Sequence, residues 1–468
     1  MESGKNKAYS DTVSSTAPGE TRLRPAQTVV LAFGSVAIIG TLLLLIPAST
    51  VDGQRTDIVT ALFTAVSAVS ITGLTVVDTA THWTFFGHLI ILILIQLGGL
   101  GIVAFASLIG LLITGRLSLR DRLNTLGEAR VSGFNNVPDL LRTILLIYVG
   151  FEIAMSAYLT TVFYFGHDKE FLQALWYGIF HAISSFNNGG FSLFEGSFTN
   201  YASDFFVIAP VGIAVIVGGL GFPVLIELHE RLRKWFYNRG KRQRKLSLHS
   251  RITLITTAIL LSVGTLFIAI FEWSNEKTLG ALNPFERIFN SIFASAMTRS
   301  GGLNSVDVGE MESATWLGQS FLMFVGGGSG STAGGIKVTT IAILFFIIWT
   351  EIRGETAVNV ADRRLPRSIQ RQALTLISLS TFTILISTIV IVSGTGIQTD
   401  RVLFDVVSAT ATVGLSTGAI QEFPQWAQLW MTVLMFVGRL GPVVVASALA
   451  LRITQRHYEL PKERPLIG

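Results

Sequence analysis

Four glycines set the terms for this chain. Gly73, Gly190, Gly302 and Gly414 lie 117, 112 and 112 residues apart, and the sequence before each one is related. Six positions earlier stand Ser67, Ser184, Ala296 and Ser408, all small. Eight earlier come Ala65, Ala182, Ala294 and Val406, and ten earlier Phe63, Phe180, Ile292 and Phe404. An apolar residue follows every glycine: Leu74, Phe191, Leu303 or Leu415. Such self-similarity means one supersecondary unit used four times, each burying surface against its neighbours. A second register agrees with the first: LGGLG (97–101), VGGLG (217–221), VGGGS (325–329) and VGRLG (437–441) recur further along each copy.

Each copy reads as a long apolar run, a shorter one, the glycine turn and a second long run. Half of the 468 residues are hydrophobic and only 14% are charged, which places the chain among polytopic membrane proteins. The long runs fall near 28–48, 84–113, 141–165, 205–229, 252–273, 315–349, 373–394 and 427–450. The shorter ones fall near 58–69, 171–184, 284–297 and 401–411. A helix of ~12 residues rises ~18 Å, too little for a hydrocarbon core of ~30 Å, so the short runs should enter and turn back, buried in protein or beside water. The expected fold is an all-α polytopic membrane protein of eight transmembrane helices plus four re-entrant pore helices in a pseudo-fourfold arrangement. Its divisions are a tail (1–27), repeat 1 (28–113), repeat 2 with the loop before it (114–236), repeat 3 (237–349), repeat 4 (350–450) and a second tail (451–468). The first 25 residues are polar and read as a mobile tail. The first apolar run is long enough to span and has no small-residue cleavage pattern.

Positive charge orients the spans. Arg116, Arg120, Arg122, Arg130 and Arg142 follow the second, a polybasic stretch from Leu232 to Arg251 follows the fourth, and Arg353, Arg363, Arg364, Arg367 and Arg371 follow the sixth. Both termini and these loops are therefore expected on the cytoplasmic side of a cell membrane. Acids such as Asp52, Asp57, Asp78, Glu195, Asp204, Glu286, Asp307, Asp400 and Asp405 fall on the other side, as an outer vestibule that concentrates cations or as ordinary solvated loop charges. No cysteine is present, which excludes disulfides and thiolate metal sites. The seven histidines show no H-x-x-x-H spacing, and no reactive constellation for an enzyme emerges.

Four short helices that point their C-terminal ends, the negative ends of their dipoles, at one axis can line it with backbone carbonyls and replace a cation's hydration shell. The turns read SITGLT (70–75), SFNNGGF (185–191), TRSGGLN (298–304) and TATVGLST (410–417). The candidate lining is Ser70, Ile71, Thr72 and Gly73; Asn187, Asn188, Gly189 and Gly190; Ser300, Gly301 and Gly302; Thr412, Val413 and Gly414. These turns resemble the selectivity filters of the Trk/Ktr/HKT superfamily of potassium transporters, and SITGLT, FNNGGF and TVGLS together are similar to the bacterial Ktr membrane subunit. The resemblance covers roughly residues 28 to 450. It implies potassium uptake, with K+ held at filter backbone carbonyls and glycine at all four aligned positions. In plant relatives a serine in the first filter goes with sodium transport, and Gly73 departs from that. Gly189 and Gly301 stand where the family pattern has alanine. The resemblance further implies Na+ as a coupling or activating ion, a homodimer, and a cytoplasmic nucleotide-binding ring (ATP or ADP) docked on the basic face; no nucleic-acid partner is implied.

The sixth run is interrupted by FVGGGSGSTAGGIKVTT, Phe324 to Thr340. It is no P-loop, because Ile336 separates Gly335 from Lys337, and a linker cannot lie bare in lipid. The remaining reading is a break lining the cavity under the turns, a gate made of Gly326, Gly327, Gly328, Ser329, Gly330, Ser331, Thr332, Ala333, Gly334, Gly335 and Lys337, with Arg439 at the same level. Lys337 should meet carbonyls or an acid. Arg439, costly in a span, acts as a cation barrier near the axis in the family's terms, or pairs with Glu152 or carbonyl oxygens. Glu152 reads as a packing residue or, in the alternative of a proton- or sodium-coupled secondary cation symporter, as a coupling site. Arg299 is expected to turn away from the axis toward Asp307 or Glu310. The polybasic stretch either binds anionic lipid or a partner protein or simply marks the inner side.

Overall fold

The computed structural model describes residues 25–100, 137–237, 246–355, 357–360 and 363–441. The tails, Arg116, Arg120, Arg122 and Arg130, the centre of the polybasic stretch, and the distal ends of the second and eighth apolar runs lie outside the described residues.

Copy one comprises α1 (Pro25–Leu44), α2 (Ile58–Val69) and α3 (Phe85–Gly99). Copy two holds α4 (Val137–Gly166), α5 (Phe171–Phe186), α6 (Phe205–Leu220) and α7 (Phe222–Tyr237). Copy three holds α8 (Leu248–Glu272), α9 (Pro284–Met297), α10 (Ser313–Phe324) and α11 (Val338–Ile352); copy four holds α12 (Arg367–Thr395), α13 (Thr399–Ala411) and α14 (Gln425–Leu440). Between α11 and α12 a short antiparallel hairpin pairs Asn359 with Arg364 and Val360 with Arg363. Among the described residues, four helices are long and apolar enough to cross a membrane, within α1, α4, α8 and α12, and a bent α6–α7 pair would make a fifth. They are the opening helices of the four copies.

Local chemistry sets the ends. Asp57 caps α2 by accepting from Val59 N at 3.0 Å, and Asp204 caps α6 by accepting from Phe206 N at 2.8 Å. Pro284 in the first turn of α9 needs no hydrogen-bond partner there, while Asn283 and Glu286 form a reciprocal capping box. Gly396, left-handed at φ 71°, stops α12.

The fourth apolar run was expected as one helix over 205–229. It is broken instead: α6 ends at Leu220, Gly221 takes φ 96°, and α7 leaves at 106°. Only glycine adopts that backbone cheaply, and the bend occurs where VGGLG supplies one. The sixth run breaks where the Gly/Ser segment predicts, between Phe324 and Val338.

Packing closes the copies into a ring. Each short helix packs on the opening helix of its own copy, in copies one, two and four also on the closing helix, and touches the preceding copy: α5 meets α3, α9 meets α6, α13 meets α10, and α2 meets α14. The repeat positions are what this ring buries. Phe63, Phe180 and Phe404 are buried, as are Leu74, Phe191, Leu303 and Leu415. Ile292 is the exception at 42% exposure, because the adjacent Phe293 takes the interior place.

Candidate functional site

The ring positions the four glycines at its centre. A Cβ built on Gly73 would lie 2.5 Å from Gly190 Cα, one on Gly190 3.2 Å from Gly302 Cα, one on Gly302 3.2 Å from Gly414 Cα, and one on Gly414 3.2 Å from Gly73 Cα. All four have positive φ: 86°, 72°, 68° and 102°. Glycine is thus required twice over, by the backbone and by the space. Carbonyls of the preceding residues crowd the same place: a Cβ on Gly414 would lie 2.1 Å from Thr72 O, one on Gly73 2.8 Å from Gly189 O, and one on Gly302 2.6 Å from Val413 O. Every turn follows directly from the C-terminal end of a short helix, so four helix termini of partial negative charge meet here.

Two residues before each glycine the backbone is left-handed again, at Ile71, Asn188, Ser300 and Thr412. Such conformations cost on the order of 1–3 kcal/mol each, so the surroundings must enforce them. Ser67 and Ser184 donate to Leu74 O and Phe191 O at 2.7 Å, and Ser408 Oγ accepts from Gly414 N at 3.0 Å. These are the small residues six positions upstream; they tie each turn to its own helix. Copy three has Ala296 there, and Ser300 instead donates to Thr412 O at 2.6 Å, joining two turns. Ser70 and Thr72 share a hydrogen bond of 2.8 Å, and Asn188 donates to Val215 O at 3.3 Å.

The second register of glycines lets the closing helices approach those helix ends. A Cβ on Gly98, Gly218 or Gly438 would fall 2.2, 1.9 or 2.1 Å from Val69 O, Phe186 O or Thr410 O. In copy three the Gly326 Cβ would instead meet Gly334 O at 1.9 Å, because the segment has left the helix and folded on itself.

That segment sits against the turns. Its stem is held by Gly326 N to Ile336 O at 2.9 Å and Val338 N to Gly327 O at 3.1 Å. Its tip touches three of the turns: Thr332 donates to Asn188 Oδ1 at 2.9 Å, Gly334 N donates to Ser300 Oγ at 3.1 Å, and Gly334 packs on Thr412. Arg439 completes the circle by donating to Thr332 O in the loop and to Gly98 O of copy one at 2.8 Å. Lys337 Nζ donates to Ala333 O at 2.6 Å. Beside both cations lies a cavity of about 240 Å³ between α11, α12, α13 and α14. Thr332 and Ala333 are buried.

Charged residues elsewhere correct several expectations. Arg299 does turn away from the axis, but its partners are Thr257 O at 3.1 Å and Gly326 O at 3.2 Å, not Asp307 or Glu310; Glu310 pairs with Lys277 and Asp307 caps Gly309 N. Of the alternatives for Arg439, the carbonyl oxygens are its partners. Glu152 accepts from Gln96 Nε2 at 2.9 Å and Asn187 Nδ2 at 3.0 Å, behind the second turn. Asp405, read as an outer-loop acid, is fully buried on α13 and accepts from Thr417 N at 2.9 Å, Ser416 Oγ at 3.0 Å and Ile420 N at 3.2 Å, bracing the irregular segment leaving the fourth turn. Its spacing from the glycine carried no mark of that role. His181 is buried and meets Tyr177 O and Ser192, and no cluster of metal-ligating side chains occurs among the described residues.

A single chain that closes four helix–turn–helix copies around four converging glycines and the carbonyls that precede them is a four-repeat membrane transport fold. The chain belongs to the TrkH cation transport protein family, whose model matches residues 8–458. It is 32% identical to the Ktr system potassium uptake protein B of Bacillus subtilis over 431 residues, 92% of this chain and 94% of that one. It is 33% identical to a potassium/sodium uptake protein of Enterococcus hirae over 458 residues, 96% of this chain and 98% of the relative. The crystal structure of the potassium transporter TrkH from Vibrio parahaemolyticus shares the fold, with a TM-score of 0.70 at 18% identity, covering 93% of this chain and 86% of that one.

Proposed function

We propose that this chain is the ion-translocating membrane subunit of a potassium uptake system. The observation that carries the reading is the glycine ring, with Thr72, Gly189 and Val413 carbonyls gathered around it. A dehydrating K+ exchanges water for these oxygens, and the helix termini behind them favour positive charge. Eight spans and four re-entrant helices enclose this path, with both termini and the basic loops on the cytoplasmic side. The Gly/Ser loop under the ring is the gate, and the contacts that seat it on three turns belong to a closed state. A cytoplasmic nucleotide-binding ring controls that gate in a homodimeric membrane subunit; the Ktr-type relatives support this part. Measuring K+ uptake by the chain, expressed in cells stripped of their own uptake systems, tests the function. Growth at low K+ is expected, and no uptake by a membrane-inserted, folded protein overturns the reading.

The Enterococcus hirae relative, named for potassium and sodium, favours a second reading in which Na+ activates or is carried with K+. Adding Na+ at fixed membrane potential distinguishes the two: coupled transport responds to a Na+ gradient, while channel-like flow follows the K+ gradient alone.

A further inference from the structure

The bend at Gly221 and the loop beneath the ring are one mechanical unit. Phe222 N donates to Gly330 O at 3.0 Å, and Gly328 N donates to Gly219 O at 2.8 Å. A Cβ on Gly221 would lie 2.7 Å from Ser329 O, one on Gly328 2.2 Å from Leu220 O, and one on Gly327 2.6 Å from Gly219 O. Backbone is therefore stitched to backbone on both sides of the hinge, and α7 cannot change its angle to α6 without disturbing Gly327–Gly330.

Helix α7 leaves the hinge at 106°, so with α6 along the membrane normal it lies close to the plane of the surface. Its sequence suits that position. Leu225, Leu228, Leu232 and Trp235 follow one another at spacings that make a single helical stripe, and its distal members are exposed, Leu232 at 57% and Trp235 at 55%. Arg231, whose charge also acts on the Glu227 carboxylate one turn earlier, flanks the stripe on one side and His229 and Arg233 on the other. The acids face away from it. Glu227 turns inward to accept from Ser247 N at 2.8 Å and Ser247 Oγ at 2.7 Å at the start of α8, and Glu230 pairs with Lys234 at 3.2 Å. An apolar stripe with a tryptophan, bordered by cations and with both acids off the stripe itself, matches the boundary between acyl chains and anionic headgroups.

We propose that α7 docks on the anionic lipid surface of the basic side and, through the Gly221 hinge, latches the Gly/Ser loop in its closed position. The proposal rests on reading that loop as the gate. Whatever opens the gate must then lift α7 from the surface or straighten the hinge, and a protein partner on this face would act by competing with lipid.

The full chain is reconstituted into liposomes of phosphatidylcholine alone or with phosphatidylglycerol, and K+ flux per inserted protein is compared. Flux is expected to be lower in the anionic vesicles, and Arg231→Gln with Arg233→Gln should relieve the difference, each by about fivefold. Brominated phosphatidylglycerol should quench an emission component present in the wild type and missing from Trp235→Phe. Equal flux in both lipids, a lipid effect that survives the double arginine variant, or no Trp235-dependent quenching overturns the proposal. A variant shortened within 327–335 separates the two readings. Raised, lipid-independent flux in it keeps the gate whatever the arginine variant does, while unchanged flux in it removes the gate reading itself.

Discussion

Replacing Arg439 with alanine should open the pathway. The guanidinium joins the loop at Thr332 O to copy one at Gly98 O, so its loss frees the tip of the loop from the wall opposite its own copy. Hydrogen bonds from charged groups contribute ~1.5–3 kcal/mol each, and taking the lower figure for both gives ~3 kcal/mol in favour of the displaced loop. With ~1.4 kcal/mol per factor of ten, the displaced population rises roughly 100-fold. Potassium or rubidium flux into liposomes at a fixed diffusion potential reads this directly. Arg439→Lys separates a latch from a purely electrostatic barrier: it keeps the charge but cannot span both carbonyls. A latch predicts leak in both variants, whereas a barrier predicts leak only in Arg439→Ala. Wild-type flux in Arg439→Ala, with unchanged insertion and thermal stability, would refute the reasoning.

Other expectations follow from the same geometry. Gly73→Ser places a side chain 2.5 Å from Gly190 Cα, so discrimination of K+ against Na+ should fall in competition uptake assays; unchanged preference would remove Gly73 from the ion path. Glu152→Leu leaves the half-buried Gln96 amide without its carboxylate acceptor, at ~1–3 kcal/mol, and removes one of the three acceptors of Asn187 Nδ2, which keeps Gln96 Oε1 and Ile183 O; it should lower the melting temperature, while Glu152→Gln should be milder. If Glu152→Gln folds normally but abolishes transport, proton coupling gains over packing. Asp405→Ala strips the acceptor from Thr417 N and Ile420 N, and should weaken K+ affinity in uptake kinetics more than it lowers the maximal rate. Gly221→Ala, with φ 96° and Ser329 O in the way, should disturb the loop and change flux without touching the ring.

Much of this architecture was legible because its constraints are steric. A residue that meets another backbone at under 3 Å can only be glycine, and the same demand in four copies prints a fourfold pattern in the sequence. The serines six positions upstream were legible for a related reason: each hydroxyl must fit beside its own turn. The interruption from Phe324 to Thr340 was legible because irregular backbone at membrane depth has few explanations. What escaped were partnerships with main-chain atoms. Arg299 finds Thr257 O and Gly326 O, and a carbonyl leaves no signature in residue type. Asp405 looks like any loop acid until its backbone donors are in place. The bend at Gly221 was hidden for the opposite reason. In LGGLG and VGGLG the same glycines serve close approach in one place and a 106° turn in another, and composition does not distinguish the two uses.

The loop in copy three touches the second, third and fourth turns directly and reaches the first copy through Arg439. One such loop already engages all four copies, so four of them would compete for the same contacts. A pore assembled from four identical subunits would carry any such insertion fourfold and jam itself. Fusing the quarters into one chain lifts that restriction: each can diverge alone, and the third alone carries the inserted loop. A single-site change likewise alters one quarter of the ring instead of all of it, which leaves each quarter open to stepwise mutation.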